Sequence, residues 1–432
     1  MSAPSFVAQT ATQSRIPRVL IVAEHASASF GGEAVIPLHY FRILSRKGAE
    51  PLLVVHERTR HELEELFPEH KDRIYTIRDT PLSLALFHLA VRLPVRFEQY
   101  TLGFVTRSLT QVAARKLVRE LVPKFGIEIV HQPIPVSPKE PSFIYDVGAP
   151  VIMGPINGAI DYPPAFRHME SPITDGVIQG GRAAAHLINR FIPGKLKADT
   201  VLVANERSRD ALPRGLEGRI RWMTENGVDL SIWSPPEGDA RRREPGEPAR
   251  FAFLGRLIPL KGVDIAIEAL AKMRHADARL TVVGDGPSRE EWEGLARRLG
   301  LEDRVTFTGW LKQAEAAIHL RDADALLMPS LHESGGNVVL EAMATSVPVI
   351  AVDWGGPADY VSDACGFLVP PTGKGELVEG FAERMDQLAA DPELARRLGA
   401  GGRRLIEEEY DWDRKVDVMI GHYHETIALA AK

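Results

Sequence analysis

The chain has 432 residues, 44% of them hydrophobic, and a formal net charge of −6. That is about two to three domains' worth of chain, with apolar content for two full cores, and it fits neither collagen-like, disordered nor coiled-coil classes. The single cysteine, Cys365, excludes an internal disulfide and a cysteine-type metal site and suits a reducing cytosol.

Residues 1–17 are largely polar, rich in Ser, Thr and Ala, and lack an apolar h-region, so a disordered lead-in is expected there rather than a signal peptide. Val19–Ala23 reads as the first strand, Gly31-Gly32 as a loop, Ala34–Lys47 as a helix and Pro51–His56 as the second strand. From Leu82 to Lys124, apolar residues mix with Arg92, Arg96, Arg107, Arg115, Lys116, Arg119 and Lys124. Such a segment can lie on an anionic membrane surface or form core-facing helices with solvated basic edges; the second reading is favoured. No apolar run reaches the roughly 20 residues needed to span a bilayer, so membrane contact would be peripheral. Further strands are expected at Ile127–His131, Val151–Gly154 and Thr200–Ala204.

Residues 18–232 form a first domain, with Asn226–Asp229 near its end. Residues 233–250 form a linker, because Ser234–Arg250 is rich in Pro, Gly and charge without apolar periodicity. A second domain follows at 251–404, and residues 405–432 hold a last helix with Val416, Met419, Ile420, Tyr423 and Ile427 at helical spacing. Residues 1–200 carry +4 and the remainder −10.

Chemistry concentrates in the second domain. Phe251–Leu257 is a strand running into Gly255-Arg256, and Lys261-Gly262 precedes the amphipathic helix Val263–Met273. Leu280–Pro287 and Val305–Trp310 are two more strands ending in glycine turns. Ala325–Met328 is a fourth, followed by PSLHESGGNVVLEAMA, in which Glu333 and Glu341 flank a glycine turn opening the helix Val338–Ala344. Arginine and lysine at strand ends suit a diphosphate, and a glycine turn at a helix start offers unpaired amides and the positive end of the helix dipole. Glu341, about one helical turn in, is placed to accept hydrogen bonds from two ribose hydroxyls. These turns sit at carboxyl ends of strands, where open α/β sheets bind ligands.

The motifs FLGRLIPLKG, VVGDGP, FTGW, Glu333-x7-Glu341 and Asn226–Asp229, with Gly31–Glu33, His131–Pro133 and Gly154–Pro163, resemble the retaining glycosyltransferases of family 4 over nearly the whole chain. The resemblance implies a GT-B fold: two Rossmann-like α/β domains with parallel sheets facing a central cleft, the first for acceptor and the second for nucleotide sugar, with the last helix crossing back to the first domain. It implies that Arg256 and Lys261 neutralise the donor diphosphate, that Glu333 contacts the sugar near its anomeric centre, and that Glu341 holds the ribose. Amides of Gly335, Gly336, Asn337 and Val338 complete the phosphate cradle, Gly31 and Gly32 close over the same phosphates, and Gly284 and Gly309 border the donor. His131 matches a histidine lining the sugar pocket; a histidine satisfying backbone groups at a strand end is the other reading. Asn157 and Asp161 are acceptor-side candidates in a Gly- and Pro-rich loop whose turn chemistry is the alternative.

The implied activity is transfer of a sugar from a nucleotide-diphosphate donor to a glycan or lipid-linked acceptor, with retention, no metal and no cofactor, in cell-surface polysaccharide or glycolipid assembly. The expected location is cytoplasmic or at the cytoplasmic membrane face, with no nucleic-acid partner. A nucleotide-sugar epimerase and a non-catalytic sugar-nucleotide-binding subunit are the alternatives. Three departures stand out: Ser334-Gly335 replaces the usual aromatic after the first Glu, Gly31–Ala34 departs from the usual GGAE order, and Asp359 stands near a usual Glu.

Overall fold

The computed structural model describes residues 15–29, 32–80, 85–86, 102–169, 185–236, 243 and 247–431. Among them, residues 15–159, 185–225 and 415–431 form an N-terminal unit, and residues 160–169 and 226–414 a C-terminal unit.

The N-terminal unit is built on seven parallel strands: β1 (Val19–Val22), β2 (Leu52–His56), β3 (Ile74–Ile77), β4 (Ile129–Gln132), β5 (Val151–Ile156), β6 (Thr200–Val203) and β7 (Arg219–Trp222). Their order is β3-β2-β1-β4-β5-β6-β7. Every residue of β1, β2, β4, β5 and β6 is buried. Such runs, VLIV in β1 for example, are the signature of strands covered on both faces. Helix α1 (Ile36–Arg46) follows β1 with Pro37 in its first turn, where a missing N–H costs nothing. Helix α2 (Leu102–Phe125) packs Ala114, Val118, Leu121 and Val122 into the sheet's core.

The C-terminal unit repeats the plan with β8 (Arg250–Leu254), β9 (Arg279–Val283), β10 (Val305–Gly309), β11 (Ala325–Met328), β12 (Val349–Val352) and β13 (Gly366–Val369). Its all-parallel order is β10-β9-β8-β11-β12-β13. Numbered within its own unit, the C-terminal sheet reads 3-2-1-4-5-6 and the N-terminal one the same with a seventh strand added, the doubly wound order, so the two Rossmann-like α/β domains expected from the sequence are present. Helices α3 (Val263–Lys272), α4 (Arg289–Arg298), α5 (Gln313–Arg321), α6 (Asn337–Ala344) and α7 (Gly355–Tyr360) follow successive strands.

Three sequence expectations shift. Strands β3 and β7 were not foreseen, because both are edge strands and the RIRW of β7 has no fully buried residue to give an apolar run. The change-over between units falls at Glu225/Asn226 rather than at residue 233. The reason is that Val228 and Trp233 are buried in the C-terminal core, and the Val228 amide donates to the Tyr410 carbonyl. The loop Gly154–Pro163 also divides, since residues 160–169 belong to the C-terminal unit and Phe166 is buried in its core. Residues 237–242 and 244–246 of the expected linker and residues 1–14 of the lead-in lie outside the described residues.

Residues 415–430 of the last helix, Trp412–Ala430, group with the N-terminal unit. Val416, Met419 and Tyr423 are fully buried there, and the Lys415 ammonium donates to the Thr224 carbonyl at 2.5 Å. In α2, three of the basic residues serve the fold. Arg107 pairs with Glu140, and Arg115 and Arg119 donate to the carbonyls of Tyr145 and Asp146. Arg92 and Arg96 lie outside the described residues.

Candidate functional site

In the C-terminal sheet, β8 is flanked by β9 and β11, and the connections leaving β8 and β11 diverge, which makes a crevice at their carboxyl ends. The loop after β8 is pinned to the loop after β11. The Leu331 amide donates to the Leu260 carbonyl at 2.9 Å, and Gly262, at φ +65°, lies so close that a Cβ there would be 2.4 Å from the Pro329 carbonyl. That docking brings Lys261 and Glu333 together as an ion pair, with side chains 18% and 17% exposed. The guanidinium of exposed Arg256 has no partner among the described residues.

Helix α6 starts at Gly336, whose φ of +81° is the left-handed conformation glycine tolerates. Among the described residues the amides of Gly335, Gly336, Asn337 and Val338 find no acceptor, and the buried Oδ1 of Asn337 has no partner. A helix start with unspent donors is an anion site by construction. Glu341 sits one turn further on; its carboxyl has no hydrogen-bond partner among the described residues, and burial pushes it up to about 8.

The wall behind this loop was not foreseen. The Gly356 amide donates to the Glu333 carbonyl at 2.8 Å, and a Cβ on Gly355 would be 2.3 Å from that carbonyl. The Gly-Gly pair directly after β12 was the available signal. The indole N–H of Trp354 donates to the Asp161 carbonyl at 2.7 Å, so Asp161, exposed, is held by its backbone on the C-terminal unit. Gly284 and Gly309 bond to each other, amide to carbonyl at 2.9 Å, and a Cβ on Gly284 would be 1.9 Å from the Gly255 carbonyl. Close loop packing alone requires glycine at 284.

Two first-half candidates are held inside the fold. His131 is fully buried. Its Nε2 lies 2.9 Å from the Gly154 carbonyl, which can only accept, so Nε2 carries the proton and Nδ1 accepts from the Tyr423 hydroxyl at 2.8 Å. Burial lowers its pKa to about 4, and both nitrogens are spent on the fold. Asn157 is 3% exposed and equally committed: its Nδ2 donates to Glu225 at 2.5 Å, and its Oδ1 accepts from Asn205 and Ser208. Its side-chain amide is thus engaged within the N-terminal unit. Gly32, at φ +55°, has open space around it, and Gly31 lies outside the described residues.

At the equivalent switch point of the N-terminal sheet, after β1 and β4, stand groups the sequence did not single out. The Glu24 carboxyl has no hydrogen-bond or ion-pair partner among the described residues, and burial raises it to about 7. Gln132 and Gln111 are anchored by their oxygens, which accept from the Ser142 hydroxyl and the Phe143 amide, so their NH2 groups remain available. All three line one small cavity with Ile134 and Pro135.

Residues 236–405 match the family model described as glycosyl transferases group 1. The C-terminal unit carries a glycosyl transferases group 1 domain. The chain is 34% identical over 249 residues to a D-inositol 3-phosphate glycosyltransferase of Streptomyces bingchenggensis, the match covering 53% of each protein. It spans about half the length of the curated relatives it matches. Among solved structures, sucrose-phosphate synthase from Thermosynechococcus elongatus aligns with a TM-score of 0.65 at 21% identity, over 96% of this chain and all of that one. HepE of Anabaena, solved with UDP, aligns with a TM-score of 0.64 at 16% identity, over 94% of this chain and all of that one. These likenesses show the two-domain GT-B fold class.

Two pH effects follow. Between about pH 4.5 and pH 8 folded Glu341 holds a proton that the unfolded chain has lost, so stability falls as pH rises through that window. Glu341→Gln should raise the melting temperature at pH 8 and barely change it at pH 4.5; a pH-independent difference contradicts the assignment. His131 acts oppositely. Between about pH 6.5 and pH 4 only the unfolded state takes the proton, so stability falls on acidification, by up to about 3 kcal/mol. In urea melts, His131→Gln should flatten that loss, and a slope equal to wild type would show that His131 is not the group responsible.

Proposed function

We propose that the chain is a glycosyltransferase moving a sugar from a nucleotide-diphosphate sugar to a hydroxyl of a glycan or lipid-linked acceptor. The observation carrying this is the set of unspent groups at one strand edge: Arg256, the α6 amides, Asn337 and Glu341 beside the Lys261–Glu333 pair. The name of the quoted curated relative, a D-inositol 3-phosphate glycosyltransferase, supports transfer; no observation favours an epimerase or a non-catalytic subunit.

In this reading the bond from the anomeric carbon to the phosphate oxygen breaks, and an acceptor oxygen forms the new bond on the same face. The acceptor's proton passes to the departing phosphate. Negative charge grows on the diphosphate, and Arg256, Lys261 and the α6 amides stabilise it where it develops, a role that needs no metal ion. Glu333, released from Lys261 by the incoming phosphate, turns to the sugar hydroxyls. The acceptor is read to the N-terminal unit, where Glu24, Gln111 and Gln132 offer a carboxyl and two amide donors to hydroxyl groups.

A cytoplasmic place in cell-surface glycan or glycolipid assembly remains part of the proposal. No helix among the described residues is long and apolar enough to cross a membrane. Peripheral contact with an anionic membrane surface is supported by the outer face of α2, where Val105, Leu109 and Val112 are exposed at helical spacing ahead of exposed Lys116.

The test compares two variants by calorimetry with UDP, GDP and ADP, and by release of nucleoside diphosphate from the matching nucleotide sugars, with D-inositol 3-phosphate among the acceptors tried. Lys261→Ala removes a cation and leaves Glu333 facing the phosphates unpaired, so both affinity and turnover should fall at least about tenfold. Glu333→Ala frees Lys261, so affinity should hold or improve while turnover is lost. Equal effects of the two substitutions on affinity would contradict the assigned roles.

A further inference from the structure

Two helices of the N-terminal unit turn apolar side chains to solvent. On α2, Val105, Leu109 and Val112 are 44%, 36% and 49% exposed, and on the helical residues 185–191, Leu187 and Phe191 are 58% and 77% exposed. Spacings of three and four place each set on one side of its helix. The opposite sides are the packed ones: Ala114 and Val118 enter the core, and the Asn189 amide donates to the Lys139 carbonyl at 3.0 Å.

Both outer sides belong to one face of the N-terminal unit. Helix α2 lies in the connection from β3 to β4, and residues 185–191 lie in the one from β5 to β6. In the order β3-β2-β1-β4-β5-β6-β7 these connections run the same way across the sheet, so right-handed crossovers put both helices on the same side of it. The connection from β1 to β2 runs the other way, and α1 accordingly lies on the opposite side, where the rings of Tyr40 and Tyr423 meet His131. The segment after β4 joins the two helices: Glu140 pairs with Arg107, the Phe143 amide donates to Gln111, and Lys139 accepts from Asn189.

Charge decides what such a face meets. The only acid in α2 is Glu120, against Arg107, Arg115, Lys116, Arg119 and Lys124, and residues 185–191 hold His186 and Arg190 with no acid. Lys116, Arg119, Lys124, His186 and Arg190 are exposed. A second copy docking through the same face would set these cations against their own counterparts, whereas an anionic bilayer takes up the apolar side chains and attracts the cations.

Building on the acceptor reading above, we infer that this two-helix face docks on an anionic lipid bilayer, with Leu187 and Phe191 widening the contact made by α2. Thr110 and Gln111, which line the small cavity with Glu24, sit on the side of α2 turned away from Leu109 and Val112. A helix is about 10 Å across, so the hydroxyls of a lipid-linked acceptor reach that cavity while its lipid stays in the bilayer.

The test is sedimentation of the full chain, without nucleotide, on vesicles of phosphatidylcholine alone or mixed equally with phosphatidylglycerol. Wild type should bind the mixed vesicles, more weakly as salt rises, and bind pure phosphatidylcholine at least about tenfold less tightly. The double variant Leu109→Ser/Phe191→Ser should lose about tenfold or more in vesicle affinity with its melting temperature unchanged. Arg190→Glu, a change at an exposed position, should weaken binding to the mixed vesicles alone. Ile318→Ser, which removes a 56% exposed side chain from the C-terminal unit, should bind as wild type does. Equal vesicle binding by wild type and the double variant, no preference for phosphatidylglycerol, or no binding at all overturns the lipid face. So does a dimer formed through these residues in place of vesicle binding. Vesicle binding by a chain that binds none of UDP, GDP and ADP overturns the nucleotide-sugar reading and leaves the lipid face standing; nucleotide binding without vesicle binding does the reverse.

Discussion

The pinning of the loop after β8 onto the loop after β11 is the constraint on which the rest of the candidate site depends. One backbone bond, Leu331 to Leu260, and the close approach of Gly262 to Pro329 put an ammonium and a carboxylate side by side at the switch point. Each charge is neutralised by the other, so neither is a largely buried, unpaired ion, a state that would be far more costly. A diphosphate competes for Lys261 and thereby releases Glu333. Donor binding is thus coupled to the availability of the carboxylate that would face the sugar.

Around that pair, several polar groups are left without partners although the surrounding core is fully packed. The Asn337 oxygen is buried without a hydrogen bond and the half-buried Glu341 carboxyl has no partner among the described residues, an arrangement that costs stability and is relieved by a ligand. The N-terminal sheet shows a parallel economy at Glu24, Gln111 and Gln132. His131 and Asn157 differ in kind: every polar atom of the His131 ring is satisfied inside the protein, and the Asn157 amide bridges Glu225, Asn205 and Ser208.

The C-terminal site was legible because local chemistry announced it: Arg256, Lys261-Gly262, Gly335-Gly336 and Glu341 each stand at a strand end or helix start that apolar patterning already located. The fold was legible for the same reason, since inner strands such as VLIV and ALLM are unbroken apolar runs. Edge strands β3 and β7 were not, having no such run. The burial of His131 and Asn157 was not legible because it depends on distant segments, Tyr423 for one and Glu225 for the other, which sequence neighbours do not reveal. Gly355 and Gly356 matter through their approach to Glu333 and Gly335, a tertiary contact. Glu24, Gln111 and Gln132 come together only when β1, β4 and α2 do.

The most direct measurement is a crystal structure of the chain with the nucleoside diphosphate that most raises its melting temperature. The account predicts the phosphates between Arg256, Lys261 and the amides of Gly335–Val338, with the Lys261 ammonium moved off Glu333 onto a phosphate oxygen. Phosphates bound elsewhere, or a Lys261–Glu333 pair left intact beside bound nucleotide, would contradict it.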